Sequence, residues 1–305
     1  MLLTAAHRVS AASGMFVSLN GALTPGVSGT DKIRLAAATG YAGVDWDLGP
    51  AKAAGAGATR ALFAELRIQP TITNLPLARP LPFDGDQPSF QAALVQLAED
   101  AAFTAAIGCR KMMVVVPPAT TRPREDQRAL ARERLAAVAE VLQRSNIRLG
   151  LEFLGPLYMR SARPGGPPVN PFIWTLPDTL ALAKDSGPNV GVILDVWHWH
   201  HSHGTIADIL SADASRIVHI HVSDAKDMPA EDVRDNQRLM PGEGIIDLVG
   251  FFGALKRIGY AGGVSPEPLG RVTPEMSPAD AARLGLQTTV AVMKKAGVAP
   301  DSAAI

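Results

Sequence analysis

The sequence predicts a closed (β/α)8 barrel, α/β in class and folded as a single domain over residues 1–305. Three observations predict it. Short apolar, β-branched runs alternate eight times with longer segments of helical period. No Ser-rich or charged linker divides them. The length of 305 residues holds one barrel of about 250 residues, with the surplus going into loops. A doubly wound open sheet is the runner-up.

In chain order the candidate strands are Met15–Leu19, Gly43–Trp46, Ile68–Thr73, Lys111–Val116, Arg148–Phe153, Val190–Leu194, Ile217–Val222 and Gly263–Ser265. Each is a short run of the kind that is buried on both faces of a parallel sheet. The intervening segments carry apolar residues at helical spacing: Asp31–Thr39, Ala58–Glu65, Ser89–Ile107, Glu125–Ser145, Pro177–Asp185, Ile206–Leu210, Asp247–Arg257 and Pro278–Ala296. Between the fifth and sixth strands lies an excursion, Leu157 to Trp174, reading LYMRSARPGGPPVNPFIW. Its Pro and Gly content forbids a helix through its middle, so it is expected to lie as a loop over the barrel mouth.

Lys+Arg and Asp+Glu both total 29, so there is no bulk positive field to draw in nucleic acid or an anionic membrane. A small neutral molecule is the expected partner. No apolar run approaches the roughly 20 residues that cross a bilayer. The single cysteine, Cys109, has no internal partner, and the opening MLLTAAHRVSAASG lacks the basic and apolar regions of a leader. A reduced, cytoplasmic protein is expected.

In such a barrel the chemistry sits at the C-terminal strand ends, and the last four strands all finish in polar residues. They present Glu152, Asp195, the pair His219 and His221, and Glu267. Strand alternation turns both histidines to one side. Three carboxylates in one apolar mouth repel each other and stay ionised only if a cation compensates them. Glu152, Asp195, His221 and Glu267 offer three hard oxygen donors and one imidazole, a set suited to Mn2+, with Mg2+ or Co2+ as alternatives.

These residues, sharpest between Gly150 and Gly270, resemble the xylose isomerase-like TIM barrels, which include sugar-phosphate isomerases, ketose 3-epimerases and inosose dehydratases. The resemblance implies Glu152, Asp195, His221 and Glu267 as metal ligands. It also implies His198, in D-x-x-H after Asp195, and Arg238, ahead of the turn Pro241-Gly242-Glu243-Gly244, as substrate-binding residues. The fold also resembles endonuclease IV enzymes of DNA repair, whose three-zinc cluster and basic face this neutral chain does not show.

Further substrate contacts are expected from Asp47 and Asn74, near the ends of the second and third strands, and from His219. In the excursion, Arg160 or Arg163 is positioned to grip an anionic or hydroxyl-rich ligand, and Phe172 and Trp174 either wall a sugar ring or an aglycone or pin the loop to the barrel surface. His200, His201 and His203 sit too close in sequence to converge on a metal, and read as a rim on one short loop. His7 and Cys109 carry no signal. Gly242–Gly244 lacks the strand-to-helix context of a dinucleotide fingerprint.

The constellation implies proton chemistry. A cation that chelates a carbonyl and the neighbouring hydroxyl acidifies the C–H between them and favours an enediolate, with Glu152 and Glu267 as base and acid on the two faces. Isomerisation or epimerisation of a keto-sugar is the leading expectation. A lyase or dehydratase acting on a keto-sugar, keto-glycoside or inosose is the alternative, and a non-catalytic sugar-binding subunit a more distant one. The partner is a small carbohydrate, with a homo-oligomer or an accessory subunit left open.

Overall fold

A computed structural model describes residues 14–78, 81–162 and 165–301. Eight parallel strands close into a barrel in the order β1, β10, β9, β8, β6, β4, β3, β2. These are β1 (Met15–Leu19), β2 (Gly43–Asp45), β3 (Gln69–Asn74), β4 (Lys111–Val115), β6 (Arg148–Glu152), β8 (Val190–Asp195), β9 (Ile217–Val222) and β10 (Gly262–Pro266). Two further strands, β5 (Ala119–Thr120) and β7 (Asn170–Pro171), pair antiparallel as a small ribbon outside the barrel.

Among the described residues ten α-helices surround it: α1 (Gly29–Thr39), α2 (Leu48–Ala54), α3 (Ala56–Leu66), α4 (Gln87–Ile107), α5 (Arg124–Gln143), α6 (Leu176–Ser186), α7 (Val196–His201), α8 (Ile206–Leu210), α9 (Leu248–Arg257) and α10 (Pro278–Lys295). The longer ones begin where a side chain takes up the free N–H groups of the first turn. Asp86 caps α4, Thr175 caps α6 and Ser277 caps α10, each with proline in the first turn. Among the described residues no helix is long and apolar enough to cross a membrane.

The eight expected strands are all present, with ends shifted by a residue or so. Sequence reading misses α2, α7 and the ribbon. α7 is the instructive miss. Five of its six residues are Trp or His, weak helix formers, and the helix exists because Asp195 caps it and its Trp and His side chains are packed.

Apolar side chains between strands and helices form two large cores. A thin layer of Ile72, Ile193 and Val218, with Met113 against it, forms a third cluster. Gly150 faces Ile193, since a Cβ there would lie 2.3 Å from Ile193 Cδ1. Two residues further on, by strand alternation, come Glu152 and Asp195. The apolar layer thus floors a polar mouth.

Candidate metal centre

Donor atoms of Glu152, Asp195, His221 and Glu267, at the ends of β6, β8, β9 and β10, all lie within 4.8 Å of one another. Glu152, Asp195 and His221 are buried, and the Glu267 side chain keeps 19% exposure. His221 bridges the two glutamates: its Nδ1 is 2.9 Å from Glu152 Oε1 and 3.5 Å from Glu267 Oε2. His221 Nε2 is buried with no hydrogen-bond partner. One imidazole and three carboxylates with donor atoms this close suit a divalent cation by donor chemistry and by spacing.

Asp195 does two jobs. Its Oδ1 accepts the N–H groups of Trp197 at 2.8 Å and His198 at 3.4 Å, capping α7. Its Oδ2 receives Arg238 Nη1 at 2.7 Å. The same nitrogen reaches Glu267 Oε2 at 3.2 Å, while Arg238 Nη2 lies 3.2 Å from His198 Nε2. Trp197 stacks under the guanidinium, 4.6 Å from ring centre to Cζ.

α7 can settle here because residue 155 is glycine. A Cβ at Gly155 would stand 2.0 Å from the carbonyl oxygen of His198 and 2.8 Å from the amide of Ser202. Backbone cannot yield as a flexible side chain does. Gly155→Ala is therefore expected to lower stability by about 1–3 kcal/mol, the scale of overpacking, and to weaken metal affinity by displacing α7. Thermal melts and metal titration of the variant check this.

At Asp195, His221 and Glu267 burial is the largest influence, and the neighbours then decide the outcome. Burial raises Asp195, but Arg238, His198 and His221 outweigh it and hold the carboxyl well below the usual range. Burial opposes protonation of His221, yet Glu267 and Glu152 lift it to about 10. Glu267 is pushed up to about 7 by burial, against the pull of His221 and Arg238. Burial lowers His198 and drives His219 well below its ordinary value.

The sign of the pH response follows. His221 and Glu267 both bind protons more tightly folded than unfolded, so their contribution to stability is full below about 4.5 and is lost as pH rises through about 7 and 10. Asp195 works in the opposite sense, but only in acid. Chelator-treated protein should melt lower at pH 9 than at pH 6. Metal addition should raise the melting temperature more at pH 9, because the ligands must shed protons to bind. Melts at the two pH values, with and without Mn2+, check both statements.

The cluster opens into a cavity of about 240 Å3, lined among others by Asn20, Lys32, Asp45, Asp47, Asn74 and Met113. Asp47 and Asn74 thus reach the same cavity as the carboxylates. Asp47 holds Lys32 at 2.6 Å. His219 lies deeper, fully buried, with Nε2 2.7 Å from Ser265 Oγ.

Sequence reading passed over Asp45, whose Oδ1 accepts Ser18 at 2.8 Å and Ser265 at 3.0 Å, and whose Oδ2 accepts Asn20 at 3.0 Å. A register shift in β2 between Val44 and Asp45 aims it, and nothing in the sequence marks such a shift. Asn20 carried a readable signal, a polar residue closing β1. Asp45, His219 and His221 form a second trio within 4.8 Å. Asp45's oxygens already accept hydrogen bonds, so the trio reads as a scaffold beneath the first group.

The excursion is placed differently from expectation. Phe172 is buried in the core and walls no ligand, because the ribbon of β5 and β7 draws it inward. Arg160 stacks over Trp174, 3.7 Å from Cζ to ring centre, and lines a separate cavity with His200, His201 and His203. The structure therefore does not bring Arg160 or Trp174 to the acidic cavity. Arg163 and His7 lie outside the described residues. His200 and His201 sit on α7 rather than on a loop.

An inosose isomerase from Bacillus licheniformis is 29% identical over 187 residues, 61% of this chain and 63% of that protein, so the chain spans less than two thirds of that relative. A xylose isomerase domain protein from Alicyclobacillus acidocaldarius superposes with a TM-score of 0.82 at 28% identity, covering 93% of this chain and 99% of that one. The IolI protein, crystallised with a zinc atom, superposes at 0.77 with 22% identity over 92% and 99% of the two chains, a likeness of fold. The profile of one family matches residues 33–294, and by that match the chain belongs to the xylose isomerase-like TIM barrels.

Proposed function

We propose that this protein is a divalent-metal-dependent isomerase or epimerase of a keto-sugar or keto-polyol, acting in the cytoplasm. The observation that carries the reading is the convergence of Glu152, Asp195, His221 and Glu267 within 4.8 Å of one another, with Glu152, His221 and Glu267 lining one cavity. These four residues would hold the ion, with Mn2+ first by donor hardness, Mg2+ and Co2+ next, and Zn2+ added because the IolI structure holds it. When bound, the ion supplies Lewis-acid polarisation of a keto oxygen and its neighbouring hydroxyl.

The side chains do the rest. Glu152 and Glu267 stand on either side of His221, on strands separated by β8 and β9, and so address opposite faces of a ligand in the cavity. One removes the proton next to the carbonyl, and the other delivers a proton to the second face. Arg238 and His198, buried against Asp195 and absent from the cavity lining, would hold Asp195 and Glu267 in place rather than touch the substrate. Asn20, Asp47 and Asn74 offer polar atoms on the other wall.

The named relatives make an inosose the first compound to try. Incubated with the protein in D2O, it should acquire deuterium at the carbon next to its carbonyl, followed by proton and deuterium NMR. Absence of exchange across inososes and free ketoses, with metal bound, would sink the reading. A lyase remains the second reading. The same abstraction followed by loss of a β-oxygen gives an unsaturated product, visible in the same spectra, and a larger cavity next to the first leaves room for a leaving group.

A further inference from the structure

Beside the acidic cavity lies a second one of about 740 Å3 against 240 Å3, lined by Pro118, Leu154, Leu157, Tyr158, Met159 and Arg234 among others. The two are flanked by the same strand ends. Val115 and Glu152 line the first, and Pro118 and Leu154, three and two residues further on, line the second. They differ in chemistry. The first is walled largely by carboxylates, amides, a lysine and a histidine; in the second, Pro118, Leu154, Leu157, Met159 and Ala162 form an aliphatic wall, with the Tyr158 ring, the Arg234 guanidinium, the Glu231 carboxylate and the Ser161 hydroxyl at its edge.

The wall of the second cavity is tied to the acidic cluster by hydrogen bonds. The Tyr158 hydroxyl accepts the amide of Asp235 at 3.2 Å. The Asp235 carboxylate receives Arg238 Nε at 2.9 Å and Nη2 at 2.7 Å, and Arg238 reaches Asp195 and Glu267. Arg234 is itself held, its Nη1 bonding the carbonyls of Glu231 at 2.6 Å and Val233 at 2.7 Å, with its guanidinium 5.2 Å over the Tyr158 ring.

We infer that this cavity is a substrate subsite, and that the keto-sugar acted on at the acidic cluster carries an aromatic substituent that lies in it. The inference rests on the reading of the acidic cavity given above. A free sugar would fill only the polar cavity and leave the aliphatic one wet. An aryl group buries against Leu154, Leu157 and Met159, while the fixed guanidinium and the phenol ring offer flat, polarised faces to stack on. The bipartite pocket thus selects a bipartite ligand.

The test compares methyl β-D-glucoside with 4-nitrophenyl β-D-glucoside by calorimetric titration of the metal-loaded protein and of Ala162→Trp. Ala162 is exposed and lines the second cavity, so the added indole occupies space there without entering the core. The aryl compound should bind the unsubstituted protein about tenfold or more tightly, the scale of burying one aromatic ring, and that ratio should fall close to one in the variant. Equal affinities, no binding of the aryl compound, or a ratio that survives Ala162→Trp would overturn the inference. Keto forms of both compounds, oxidised at a ring hydroxyl and incubated in D2O, then separate the two readings. Missing exchange with the affinity ratio intact removes the isomerase reading alone.

Discussion

Glu152→Gln and Glu267→Gln should each lower kcat by about 100-fold or more, the usual loss when a general base is removed. Glutamine keeps the size of glutamate and one oxygen donor, so the measurement must be paired with metal content by elemental analysis. The two losses need not match. Glu267 is the more exposed of the two, its side chain keeping 19% exposure. Glu152 is more buried and is tied to His221 at 2.9 Å. Near-normal turnover in both variants, with metal bound, would place the base elsewhere, and His198 would be tested next.

Dialysis against a chelator should abolish activity and lower the melting temperature, and Mn2+ should restore both. Without a divalent cation the carboxylates of Glu152, Asp195 and Glu267 are offset by Arg238, His221 and His198 alone among the described basic side chains in contact with them. Arg238 already spans Asp195 and Glu267, so the barrel should remain folded on stripping and reload on addition of metal. His221→Ala should weaken metal binding strongly, whereas His203→Ala, in a separate cavity, should not. Full activity after exhaustive chelation, with no divalent metal detected, would end the metal reading.

Much of the fold was legible because a buried parallel strand writes a continuous apolar run, and eight such runs have few other uses. The carboxylates and histidine that cluster were legible for a related reason. A charged residue that closes a buried strand violates the pattern around it, as Asp195 does after Val190–Leu194. What stayed hidden depends on neighbours remote in sequence. Asp45 is aimed by a register shift against β3, Lys32 enters the cavity through the rotation of α1, and α7 needs the clearance at Gly155. Phe172 looked like a ligand wall because a Pro-rich segment gives no clue to the side on which its aromatics will be buried.

The ribbon of β5 and β7 has a bearing on how this barrel changes over evolutionary time. It fastens the far end of the excursion to the loop after β4, Asn170 with Thr120 and Pro171 with Ala119, while Phe172 and Ile173 root it in the core. At the near end Gly155 is pressed against α7. The described residues 157–162 and 165–169 therefore lie between two fixed posts. Drift, insertion or a transplanted loop within those posts can rewrite which ligand is accepted and leave Glu152 and Asp195 where they stand.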